Sequence, residues 1–178
     1  MKIALIGATG MVGKVMINLI HERKIKYKQL ILVASDKSQG QKILVNEEIY
    51  TVTSIENGIK LKPDYAIFSA GSEVSLDWAP RFAEVGSTVI DNSSAWRMDP
   101  KKKLVIPEIN GNVLNSDDKI IANPNCSTIQ MLMVLAPIHK NYGIKRVIVS
   151  TYQSVTGTGL KGLNLSLIHI SEPTRPID

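Results

Sequence analysis

The chain opens with MKIALIGATGMVGKVMINLI, in which the nearly all-apolar run Lys2–Ile6 passes into Gly7-Ala8-Thr9-Gly10-Met11-Val12-Gly13 and then into a helical repeat over residues 11–20. Glycines at a strand-to-helix turn let backbone approach a pyrophosphate, and the helix N-terminus beyond them offers unpaired N–H groups and the positive end of its dipole. Glycine-rich turns are common, but one placed between a clear strand and a clear helix predicts a dinucleotide-binding βα unit. Gly7, Thr9, Gly10, Met11, Val12 and Gly13 are its expected cofactor contacts.

Beyond this unit, short apolar runs at 30–34, 65–69, 88–90 and 120–122 read as parallel strands covered on both faces. Helical periodicity fills 73–84, stopping at Gly86, and 127–139. Residues 43–52 read as a hairpin-like excursion broken at Asn46-Glu47, and 147–153 (VIVSTYQ) as a longer strand of alternating character. Alternation of strand and helix predicts an α/β, Rossmann-like, doubly wound and mostly parallel sheet.

The second strand runs into Ala34-Ser35-Asp36-Lys37-Ser38. An NAD site usually ends this strand with an acidic residue for the ribose 2′-hydroxyl. Here the hydroxyls of Ser35 and Ser38 flank Lys37, a set suited to a 2′-phosphate, while Asp36 is expected to point to water from its turn. NADP is the expected cofactor, and no metal is expected.

The net charge of +5 is spread along the chain, and its densest run, Lys101-Lys102-Lys103, follows Asp99-Pro100 in a turn and reads as a solvated loop. Aromatic residues do not interleave with basic ones, which argues against a nucleic-acid partner. No apolar run reaches the roughly 18 residues of a membrane span. With one cysteine no internal disulfide forms, so a reducing cytoplasm is the default compartment.

That cysteine, Cys126, follows a strand end and opens the helix predicted over 127–139. A free cysteine is most often a small buried hydrophobe. Its place at a helix N-terminus, where α/β sheets hold their ligands, instead suits a thiolate nucleophile. A thiolate beside a nicotinamide implies covalent aldehyde oxidation, in which a thiohemiacetal gives up hydride and becomes a thioester.

GATGMVG (7–13), ASDKSQG (34–40), FSAGSEVS (68–75), VIDNSSAWR (89–97), IPEIN (106–110), IIANPNCSTIQ (120–130) and STYQSVTGTG (150–159) resemble, in order, the N-terminal part of bacterial aspartate-semialdehyde dehydrogenases. The resemblance implies reduction of aspartyl phosphate to aspartate semialdehyde with release of phosphate, in lysine, diaminopimelate, threonine and methionine synthesis. It implies a homodimer, with Cys126 as nucleophile and Asn125 shaping its site. Gln153 would orient the substrate or thioester, Arg97 would bind phosphate, and Thr156 and Gly157 would approach the nicotinamide. Lys37 stands where many members have arginine, which keeps the charge but loses the bidentate fork. N-acetyl-glutamyl-phosphate reductase shares the chemistry but not the NPNCSTIQ context, and a non-catalytic nucleotide-binding fragment is the alternative of another class.

Residues 165–178 depart from the family, and 165–175 (LSLIHISEPTR) match the in-frame translation of a transposon-based sequencing adapter. The expected organisation is an NADP domain over 1–123, the truncated start of an α+β catalytic and dimerisation domain over 124–164, and a non-native tail over 165–178. Family members are about twice this length, so the chain is expected to lack the acid–base histidine and the carboxylate-binding arginine, and to be inactive by itself.

Overall fold

The computed structural model describes residues 1–45 and 47–153. Among them, β1 (Lys2–Ile6), β2 (Gln29–Val33), β5 (Tyr65–Phe68), β6 (Thr88–Asp91), β7 (Lys103–Leu104) and β8 (Ile120–Ala122) form one sheet in the order β2-β1-β5-β6-β8-β7. Every pairing in it is parallel, from Lys2 opposite Gln29 in β1–β2 to Leu104 opposite Ala122 in β7–β8. The expected doubly wound α/β sheet is therefore present.

Its two faces are covered by different helices. Successive strand residues point to opposite sides, so Ala4, Ile6, Ile31, Val33, Ala66 and Phe68 face one core, and Ile3, Leu5, Leu30 and Leu32 the other. Ala79 and Phe82 of α3 (Ser72–Glu84) fill the first core, with Ile55 and Ile59 of α2 (Ile55–Lys60) packed against it. Ile17 and Ile20 of α1 (Met11–Glu22) fill the second. The apolar strand runs lack strict alternation because both faces are buried.

The excursion over 43–52 is an antiparallel hairpin, β3 (Lys42–Val45) with β4 (Glu48–Thr51), apart from the main sheet. Tyr50 of β4 hydrogen-bonds Tyr27 at 2.8 Å, and Tyr27 reaches His21 at 3.3 Å, which ties the hairpin to the end of α1. The helix predicted over 127–139 is α5 (Cys126–Tyr142), longer at both ends; α4 (Pro107–Asn110) is a single turn. Two expectations change. Lys101 and Lys102 lie in the expected turn, with Lys101 exposed, but Lys103 begins β7 and Lys102 sits 5.8 Å from the centre of the Trp96 ring, so the run is not wholly a solvated loop. Residues 147–153 form no strand, since a strand needs a partner edge and no described residue pairs with them.

The chain divides into two compact units, Met1–Gly143 and Ile144–Asp178. The first holds the sheet, the hairpin and helices α1 to α5. In the second, residues 144–153 carry no regular secondary structure. No described helix is long and apolar enough to cross a membrane.

Candidate active site

A cleft of about 420 Å³ opens at the C-terminal edge of β2, β1 and β5. Gly7, Thr9 and Gly10 form one rim, and Ile6, Val33, Val74 and Trp78 give it an apolar floor and wall. Gly7 takes φ of +94°, and a β-carbon there would lie 2.4 Å from the Ser69 carbonyl oxygen. The Gly7 and Ala8 N–H groups both donate to the Val33 carbonyl, at 2.9 and 3.0 Å, which pins the turn over the end of β2. Helix α1 then starts without a side-chain cap and without an acidic residue in its first turn, leaving its positive end open to an anion. Met11 and Val12 supply first-turn N–H groups, whereas Gly13 is buried and serves packing: a β-carbon on it would stand 2.2 Å from the Gly7 carbonyl oxygen. A backbone cradle beside an apolar slot fits a pyrophosphate joined to an adenosine.

At the end of β2, Ser35 and Asp36 line the cleft. Asp36, Lys37 and Ser38 make one 3₁₀ turn, in which Lys37 is exposed and Ser38 half-buried; neither lines the cleft. Asp36 is exposed, as the sequence reading expects of its turn, and stands at the rim of the cleft. Glu56, which that reading passed over, stands opposite on the first turn of α2.

Cys126 lies on the same edge of the sheet, after β8, three strands along from β1 and so about 14 Å away. It is the first residue of α5 and is exposed; it does not line the cleft at the glycine turn. The Asn125 side-chain oxygen accepts from the Ser127 and Thr128 N–H groups at 3.0 and 3.2 Å, which holds the helix start in place. Arg97 reaches this segment from the loop after β6. Its Nε donates to the Asn123 carbonyl at 3.0 Å and one Nη to the Asn92 carbonyl at 2.8 Å, while Asn123 and Asn92 join side chains at 2.6 Å. The loop is fixed behind it by the Trp96 indole N–H on buried Ser75, at 2.9 Å, and by Ser93 donating to buried Asp91, at 2.6 Å. A cation is therefore bonded to the carbonyl of Asn123, three residues before Cys126 in the chain, with its second Nη group unbonded among the described residues.

Gln153 belongs to the second unit, where its amide donates to the Thr151 hydroxyl at 3.0 Å. Thr156, Gly157 and residues 165–178 lie outside the described residues. Sequence reasoning also missed the apolar wall. Trp78 follows Val74 by one helical turn, a spacing that marks a shared face, and Ser54 ahead of Ile55-Glu56-Asn57 carries the signature of an N-cap.

Residues 2–116 match the family model of the semialdehyde dehydrogenase NAD-binding domain. The chain is 48% identical over 165 residues to aspartate-semialdehyde dehydrogenase of Aquifex aeolicus, covering 91% of this chain and 48% of that protein. It is 45% identical over 157 residues to the Bacillus subtilis enzyme, covering 88% and 45%. Aspartate semialdehyde dehydrogenase II of Vibrio cholerae, complexed with ASA, superposes with a TM-score of 0.87 at 43% identity, over 92% of this chain and 49% of that one. The chain spans about half the length of the curated relatives it matches. With the family model covering well over half its length, the chain belongs to the semialdehyde dehydrogenase family and carries that family's NAD-binding domain.

Proposed function

We propose that the chain is the cofactor half of an aspartate-semialdehyde dehydrogenase, in which Cys126 is the nucleophile and NADP the hydride carrier. The observation that carries this reading is the exposed thiol at the capped start of α5, on the same sheet edge as the cleft, with Arg97 bonded to the segment that leads into that helix. In the oxidative direction the Cys126 sulfur attacks the aldehyde carbon and the carbonyl electrons move to oxygen, giving a thiohemiacetal. NADP⁺, held by the glycine turn and the β2 corner, would supply the hydride acceptor there, and loss of hydride from that carbon together with the hydroxyl proton would leave a thioester. An oxygen of inorganic phosphate then attacks the thioester carbon and the thiolate departs, giving aspartyl phosphate; biosynthesis runs these steps in reverse. Arg97 holds phosphate through its unbonded Nη, and Asn125 fixes the helix end under the sulfur. Ser35, Lys37 and Ser38 meet the 2′-phosphate, with Lys37 swinging inward from its exposed turn.

Substrate positioning, assigned to Gln153 and to the half of the relatives' length beyond this chain, is the remaining requirement. Positioning supplies much of an enzyme's rate advantage, so the 178-residue chain does not turn over, and the complete homodimer feeds lysine, diaminopimelate, threonine and methionine synthesis. The test is phosphate-dependent oxidation of aspartate semialdehyde with NADP⁺, run on this chain and on a version extended with a relative's second half. Activity is expected only in the extended protein, and Cys126→Ala should abolish it while dinucleotide affinity stays within about threefold. Turnover by that variant would refute covalent catalysis.

A further inference from the structure

We propose that Glu56 is a specificity-determining residue of the cleft, one that restrains its preference for a 2′-phosphorylated dinucleotide. This rests on the dinucleotide reading above. Glu56 and Asp36 both line the cleft beside Ser35, whereas Lys37, the one cation of the β2 turn, does not. A 2′-hydroxyl donates to a carboxylate, while a 2′-phosphate brings a second anion toward it, so the two carboxylates favour the plain ribose.

Backbone fixes Glu56 in that position. Thr53 runs parallel to β2 through a bridge with Val33; its N–H donates to the Leu32 carbonyl at 2.8 Å and its carbonyl accepts from Ala34 at 3.2 Å. The chain therefore leaves this short outer strand at the same edge as β2, where Ser54 caps α2 by accepting from the Asn57 N–H at 3.3 Å. Two residues after Glu56, Gly58 lies so close to β2 that a β-carbon on it would meet the Val33 methyl at 2.6 Å. That contact clamps α2 onto β2 and keeps its first turn against the cleft. The Glu56 backbone N–H, then the Ser54 hydroxyl, hold the carboxyl below its ordinary value, so it is anionic at neutral pH.

Calorimetric titration of the purified 178-residue chain with NAD⁺ and NADP⁺ tests the proposal. Glu56→Gln should raise the ratio of NADP⁺ to NAD⁺ affinity by about threefold at low ionic strength, as expected for removing one charge within about 7 Å of a phosphate in a water-like medium. The gain should shrink at high salt, and Glu56→Lys should move the ratio further in the same direction. An unchanged ratio in both variants, with both dinucleotides still bound, overturns the role of Glu56 alone. Failure of the unaltered chain to bind either dinucleotide overturns the cofactor reading together with it.

Discussion

Tyr50 shows how a single hydroxyl couples fold stability to pH. Burial, then its hydrogen bonds to Glu48 and Tyr27, raise its pKa well above the ordinary 10.0. In the unfolded chain Tyr50 loses its proton near pH 10, but in the folded chain only at higher pH. Its contribution is therefore fully present below about pH 10 and is lost as pH climbs toward the folded value. Urea titrations from pH 8 to 11 should show the unaltered chain losing stability faster than Tyr50→Phe over the upper part of that range; parallel curves would show that the cluster does not hold the proton. Among the candidate site residues, the place of Cys126 at a helix start was legible because the strand end and the helical pattern that flank it are visible in the sequence. The setting of Arg97 was not legible, since its partners are carbonyls of residues 92 and 123 that no local pattern brings together. Asp36 is exposed as a turn residue should be, but its place at the cleft is not legible until the wall that shares it, Glu56 and Ile55, is known.

Elements whose pattern is strong and long were readable, and those made by packing were not. The strands at 65–68, 88–91 and 120–122 and the helices α1, α3 and α5 fall within a few residues of their expected limits. Helix α2 and strand β7 are too short for periodicity, and each exists by leaning on a neighbour: α2 on Val33 through Gly58, β7 on β8. The glycine turn combines both kinds of constraint. Gly13→Ala would drive a methyl into the Gly7 carbonyl oxygen and the Ala8 backbone, at 2.2 and 2.8 Å, with no flexible side chain to give way. A loss of about 3 kcal/mol is expected, read as a lower urea midpoint together with loss of dinucleotide binding. At the other end of the sheet, Asn125→Ala removes both bonds that cap α5. It should cost about 1 kcal/mol, with faster amide exchange at Ser127 and Thr128; unaltered exchange there would mean that the cap does not hold the helix start.

At the scale of the molecule, the sheet order was not legible, because register along six parallel strands is set by contacts between residues far apart in sequence. The same order explains why one edge collects the candidate site residues. Parallel strands send every chain reversal of one type to the same side, so the glycine turn, the Ser35–Asp36 corner, the Asn92–Arg97 loop and the Cys126 helix share an edge despite lying more than a hundred residues apart at the extremes. The Arg97 guanidinium has a consequence for assembly in time. It binds the carbonyl just past β6 and the carbonyl just past β8, strands that pair only after the intervening 93–119 segment has closed. Until that closure the cation lacks its pair of carbonyls, so a growing or partly open chain carries Arg97 unanchored. Its anchoring thus comes late, as a by-product of zipping β6 to β8, and a chain caught half-folded carries a guanidinium still free to bind elsewhere.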